Sequence, residues 1–131
     1  MAENTARKVL LQADDVCKWF PIKGWFFEEK RYVQAVNHVS FRLYEGETLG
    51  LVGESGCGKT TLARTVLRLI EPTSGAITFD GTDLMAQNKH QLRALRKDMQ
   101  IVFQDPYSSL HPRMTVRQII EEPMRIRGLY T

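Results

Sequence analysis

"GESGCGKTT", residues 53–61, places three glycines, one lysine and two threonines in nine positions, directly behind the apolar run "LGLV" of residues 49–52. So bare a backbone permits positive φ and close approach to a ligand, so that amide N–H groups from about Ser55 to Thr61 can point at ligand oxygens. The run "ETLGLVG" (47–53) predicts a strand buried on both faces. After the loop, Leu62, Val66, Leu69 and Ile70 fall on one face at helical spacing and Arg64 and Arg68 fall elsewhere, which predicts a helix over 59–70.

Strand, G-x-x-x-x-G-K-T loop and helix, in that order, are the recipe for a polyphosphate cradle. Gly53, Gly56 and Gly58 leave room for phosphate, and Glu54, Ser55, Cys57 and Thr61 complete the stretch around it. Lys59 supplies a full charge for the β- and γ-phosphates, beside the positive end of the helix dipole. Thr60 supplies a hydroxyl for a magnesium ion that keeps most of its other ligands as water and phosphate. Cys57 reads as a small spacer residue rather than a redox centre, and a bulky thiol reagent there is expected to block nucleotide.

Composition agrees with a globular unit. The chain has 131 residues, 43% hydrophobic and 25% charged, enough apolar content for a core. Its apolar stretches are far shorter than the roughly 18 residues that span a bilayer, and "MAENTARK" has no apolar run behind its charges, so the sequence is of cytosolic type. The net charge is +3. "HQLRALRK" (90–97) is the only small basic cluster, better suited to a solvated helix face than to a nucleic-acid patch. Two cysteines, Cys17 and Cys57, form neither a disulfide framework nor a metal-ligand pattern.

Elsewhere the pattern is β-rich first and mixed later. "KVLLQADDV" (8–16) and "RYVQAVNHVSFRLYEGE" (31–47) predict strands joined by the long connection "PIKGWFFEEK" (21–30), whose "GWFF" tip is expected to fold back on its own sheet. "EPTSG" (71–75) predicts a turn, "AITFDG" (76–81) a strand and "KHQLRALRK" (89–97) a short helix. "MQIVFQD" (99–105) predicts another buried strand. The irregular "PYSSLHPRM" (106–114) follows, then the helix-like "TVRQIIEEPMRIRG" (115–128) with a proline in its second half.

A phosphate loop alone does not separate kinases, GTPases and transport ATPases. The neighbours of the loop do. "VNHVSFRLYEGETLGLVGESGCGKTTLARTVLRLIEPTSGAITFDGTDL", continued by "MQIVFQDPYSSLHPRMTV", closely resembles the first half of the nucleotide-binding domain of ATP-binding-cassette (ABC) transporters. "FPIKGWFF", "LVGESGCGKTT" and "FQDPYSSLHPRMTV" are similar to the ATP-binding subunits of oligopeptide and dipeptide importers within that superfamily. The implied fold is α/β, a P-loop NTPase with an antiparallel β-subdomain and an incomplete RecA-like parallel-sheet core.

The same resemblance implies roles. Gly53 to Thr61 would be the Walker A loop that holds ATP. Gln104 matches the Q-loop glutamine, whose amide oxygen touches Mg2+ and the attacking water and links the site to the membrane subunit. "VCKWF" matches the segment whose aromatic ring stacks on adenine; spacing after Lys18 favours Phe20, with Trp19 as the fallback, and either ring could instead simply pack the sheet. The implied partners are transmembrane permease subunits and a second, identical or paralogous, ATP-binding subunit, at the cytoplasmic face of the inner membrane. No nucleic-acid partner is implied. The solute, whether peptide, nickel or another, is not specified by this subunit.

A complete domain of this family continues into an L-S-G-G-Q signature, an apolar strand ending in Asp-Glu and a histidine loop. None of these is present between Met1 and Thr131, and His38, His90 and His111 stand elsewhere. The chain therefore reads as an N-terminal portion that holds nucleotide but lacks the groups that orient water. Negligible hydrolysis by this chain alone is expected, with an apolar sheet edge at "LGLVG" or "MQIVF". Two other readings are a self-standing nucleotide-binding module without catalysis and an ABC ATPase acting outside transport.

Overall fold

The computed structural model describes residues 7–22, 31–105 and 110–129. They fall into two compact units, residues 1–99 and 100–131.

The first unit is built on a four-stranded, wholly antiparallel sheet of order β2-β1-β3-β4. Its strands are β1 (Val9–Ile22), β2 (Arg31–Tyr44), β3 (Ser74–Phe79) and β4 (Thr82–Asp83). β1 runs six residues beyond the predicted Val16, because Lys18 to Ile22 continue to pair with β2. The connection after Ile22, with its "GWFF" tip, lies outside the described residues. The pairing of the two long strands shifts register between Ala13 and Lys18, and Asp15 and His38 there adopt positive φ of 51° and 52°. The irregularity is closed by side chains: the Asp15 amide donates to Ser40 Oγ at 2.8 Å, and His38 Nδ1 lies 2.8 Å from Asp15 Oδ1. At the far end of the sheet the Lys8 ammonium pairs with the Asp80 carboxylate, which holds its pKa above the ordinary lysine value.

One face of the sheet carries the core. Ala13, Val16, Val36 and Ile77 pack with Leu62 and Val66 of α1 (Lys59–Val66), with Leu84, and with Leu92 of α2 (Lys89–Leu95). Ile77 and Leu84 are fully buried, a burial that stabilises by about 1.5–3 kcal/mol for each such side chain. α2 forms where predicted, started by a capping box in which Asn88 and Gln91 satisfy each other's backbone amides.

α1 ends at Val66, four residues short of the predicted Ile70. Arg68 turns to φ 50°, its amide bonds to Thr65 O at 2.9 Å and the Leu69 amide to Arg64 O at 2.8 Å, the paired bonds of a Schellman terminus. The guanidinium then reaches away from the helix, donating to Leu84 O at 2.5 Å, Gln87 O at 2.7 Å and Glu71 Oε2 at 2.9 Å. Those long-range carbonyls account for the early stop.

The two segments expected as buried strands, 47–53 and 99–105, take part in no ladder among the described residues. Val52 is 91% exposed and Val102 95%. Apolar sequence makes a two-faced strand only when neighbours pair with both its edges, and among the described residues none pairs with either segment. The antiparallel β-subdomain is thus formed, and the parallel core is incomplete.

In the second unit α3 (Val116–Ile126) starts at Thr115, which exchanges capping hydrogen bonds with Gln118, and contains Pro123. None of its residues is buried. Among the described residues, no helix is long and apolar enough to cross a membrane.

Candidate functional site: a phosphate loop on an uncapped helix

The loop is positioned by α1 and β2. Gly58 is the N-cap of α1 at φ 98°, and the first helical bond runs from the Leu62 amide to Gly58 O at 2.8 Å. No side chain caps this end, and no acidic residue occupies the first turn. The amides of Lys59, Thr60 and Thr61 precede the first bonded amide, and so face outward as donors at the positive end of the helix. Glycine at position 58 is a steric requirement. A β-carbon there would stand 2.1 Å from the Ala35 carbonyl oxygen, so the loop lies directly against the backbone of β2. Gly56, at φ 84°, faces open space.

Lys59 folds back over the loop. Its ammonium donates to Gly53 O at 2.7 Å and to Glu54 O at 2.6 Å, and lies 3.5 Å from Cys57 Sγ. The charge is thereby held at the loop by acceptors that an incoming phosphate can replace with stronger, anionic ones. Cys57 is exposed, and its sulfur would meet a β-carbon at Gly53 at 2.7 Å. Thr60 is exposed, and its hydroxyl makes no hydrogen bond within the described residues. That leaves it available to a cation, unlike the hydroxyl of Thr65, which bonds to Thr61 O at 2.7 Å.

Beside the loop lies a cleft of about 370 Å³ whose walls include Val36, Asn37, Val52, Cys57, Lys59 and Leu62. Of the loop, Cys57, Gly58 and Lys59 line this cleft, and Lys59 ties back to Gly53 and Glu54. Phe20 and Trp19 stand apart from the cleft wall. Trp19 is fastened into the fold: its indole N–H donates to Asn37 Oδ1 at 3.2 Å, its amide to Thr73 Oγ1 at 2.9 Å, and its ring tilts against Tyr32 with centroids 6.4 Å apart. Phe20 remains 38% exposed, with the Lys18 ammonium 5.0 Å from its ring centre. Gln104 is exposed, in irregular backbone of the second unit rather than at a strand end. Among the described residues, no group of three His, Cys, Asp or Glu side chains is placed to hold a metal ion.

Two contributors escape a sequence reading. Ala35 meets the loop through its carbonyl, to which the side-chain pattern of β2 is blind, and Asn37 is one more polar residue in an alternating strand.

A glycine loop ending in lysine, at the open N-terminus of a helix that packs on an antiparallel sheet, defines the class as a P-loop nucleotide-binding domain. A profile of the ABC transporter family matches residues 36–128, and the chain belongs to that family. Among curated proteins it is 55% identical to the probable peptide ABC transporter ATP-binding protein y4tS of Sinorhizobium fredii, across 88% of this chain and 33% of that protein. It is 50% identical to the oligopeptide transport ATP-binding protein AppF of Bacillus subtilis, across 95% of this chain and 39% of that one. The corresponding figures for OppF of Escherichia coli are 47%, 95% and 38%. The chain therefore spans little more than a third of the length of these relatives. Its fold is similar to the dimeric ABC transporter cassette MJ0796, with a TM-score of 0.73 at 24% identity, covering 93% of this chain and 49% of that one.

Proposed function

We propose that this chain is the nucleotide-holding portion of an importer ATPase, binding ATP through Gly53, Glu54, Ser55, Gly56, Cys57, Gly58, Lys59, Thr60 and Thr61. The observation that carries this reading is the uncapped N-terminus of α1 with the Lys59 ammonium held against the carbonyls of Gly53 and Glu54. Free amides, a helix dipole and a fixed cation at one point favour a polyanion over any neutral ligand. A related fold supports the same ligand class: MJ0796 has been solved with ADP and Pi, at a TM-score of 0.72.

Thr60 is the proposed ligand to a magnesium ion, and the family resemblance of its motif proposes a magnesium-binding role for Gln104. Bound Mg2+ would screen the charge of the β- and γ-phosphates. The residues of the chain itself do the holding: the loop amides orient the phosphates, and Lys59 offsets their charge. Phe20, the aromatic ring that Trp19's hydrogen bonds leave open, is the proposed platform for adenine. In the whole-length protein ATP hydrolysis would drive import of a peptide or related solute. Transmembrane permease subunits and a second ATP-binding subunit are the proposed partners at the cytoplasmic face of the membrane, with residues 1–131 as the N-terminal part of the domain.

Competition for a bound fluorescent ATP analogue tests the ligand class. ATP and ADP are expected to displace it, and AMP and adenosine to do so far more weakly, since most of the contacts are to the β- and γ-phosphates. Equal displacement by adenosine would contradict a phosphate-centred site.

A further inference from the structure

Lys18 is tied to two features at once. Its ammonium lies 5.0 Å from the centre of the Phe20 ring and donates to Glu71 O at 2.7 Å. Glu71 is held in turn by Arg68, whose Nε donates to its carboxylate at 2.9 Å, directly after the terminus of α1. The same stretch of β1 is laced to this turn by two more bonds, Thr73 N to Cys17 O at 2.8 Å and Trp19 N to Thr73 Oγ1 at 2.9 Å. One side chain therefore connects an exposed aromatic ring on β1 to the far end of the helix whose near end forms the phosphate loop.

From this geometry we infer that Lys18 is a positioning residue for the base of the bound nucleotide, acting through Phe20; the inference rests on the proposed role of Phe20 as the adenine platform. A cation over one face of the ring is attracted by its π electrons and fixes the ring's orientation. It also draws electron density toward the covered face, leaving the opposite face a better partner for an electron-rich purine, which stacks offset on it. The Glu71 carbonyl keeps the ammonium from swinging out to solvent. Lys18 belongs neither to the phosphate loop nor to the cleft wall beside it, so its contribution is confined to ligands that carry a base.

That confinement makes the test specific. ATP and inorganic tripolyphosphate share the phosphate contacts and differ in the nucleoside, so the ratio of their affinities reads the base alone. Both are titrated calorimetrically into the chain and into Lys18→Met, Lys18→Arg and Phe20→Ala. Lys18→Met, which keeps the stem and removes the charge, is expected to weaken ATP by about three- to tenfold, the range of a partly exposed cation–π contact. Tripolyphosphate affinity is expected to stay unchanged, which also shows that the variant is folded. Lys18→Arg is expected to restore ATP affinity, and Phe20→Ala to lower it at least as far as Lys18→Met.

An unchanged ratio in Lys18→Met, with a lowered ratio in Phe20→Ala, would overturn the role of Lys18 and leave the platform standing. An unchanged ratio in both variants would overturn the platform and Lys18 together. Loss of tripolyphosphate binding in Lys18→Met would overturn the inference by showing that Lys18 supports the loop rather than the base. Failure of the unsubstituted chain to bind either ligand would overturn the phosphate-loop reading beneath it.

Discussion

A β-carbon at Gly58 would stand 2.1 Å from the carbonyl oxygen of Ala35. The phosphate loop and the backbone of β2 are thus in direct contact, and the loop's shape depends on a strand more than twenty residues earlier in the sequence. Gly58→Ala must displace one of them and also hold alanine at φ 98°. Gly56→Ala meets open space at φ 84° and carries only the cost of the left-handed backbone, about 1–2 kcal/mol. Urea unfolding is expected to show Gly58→Ala less stable than Gly56→Ala by at least about 2 kcal/mol, within the range of steric substitutions. Equal midpoints for the two variants would mean that the contact is relieved without cost.

Arg68 joins the end of α1 to the corner after β4. Its side chain is 14% exposed, and it satisfies the carbonyls of Leu84 and Gln87. Arg68→Met leaves both acceptors without the guanidinium and is expected to destabilise by about 2–4 kcal/mol. Arg68→Lys lacks the planar fork that reaches several acceptors and is expected to recover less than half of that. Thermal melts of the two variants measure the difference, and a lysine variant as stable as the parent would remove the fork from the account.

Cys57 is exposed in the loop, and Cys17 is buried in β1. A bulky maleimide is therefore expected to label one thiol per folded chain and to abolish ATP binding, while Cys57→Ala binds ATP and resists the reagent. Mass spectrometry of the labelled chain, followed by nucleotide titration, checks both halves. Full affinity after stoichiometric labelling at Cys57 would place the ligand elsewhere.

How much of this was legible in the sequence depends on how local the cause is. The loop from Gly53 to Thr61 was readable because its glycines, lysine and helix start lie within nine residues and each carries its own physical reason. β1 and β2 were readable from alternation, although the pairing of Lys18 to Ile22 with β2 was not, since Pro21 reads as a strand end when its edge partners are unknown. The end of α1 was misplaced by four residues because Arg68 leaves the helix to reach carbonyls sixteen and nineteen positions away. Residues 47–53 and 99–105 have the apolar content of buried strands, but the ladder that makes a strand belongs to its neighbours. Lys18 served only as a spacing marker, because its contact with Glu71 spans 53 positions.

The central claim is that a polyphosphate sits at the open end of α1, under Lys59. Amide shifts of the isotopically labelled chain on titration with Mg-ATP test it most directly. The largest changes are expected over residues 53–61, with Lys59→Ala abolishing them. Changes centred away from this loop, or the same changes in Lys59→Ala, would contradict the account.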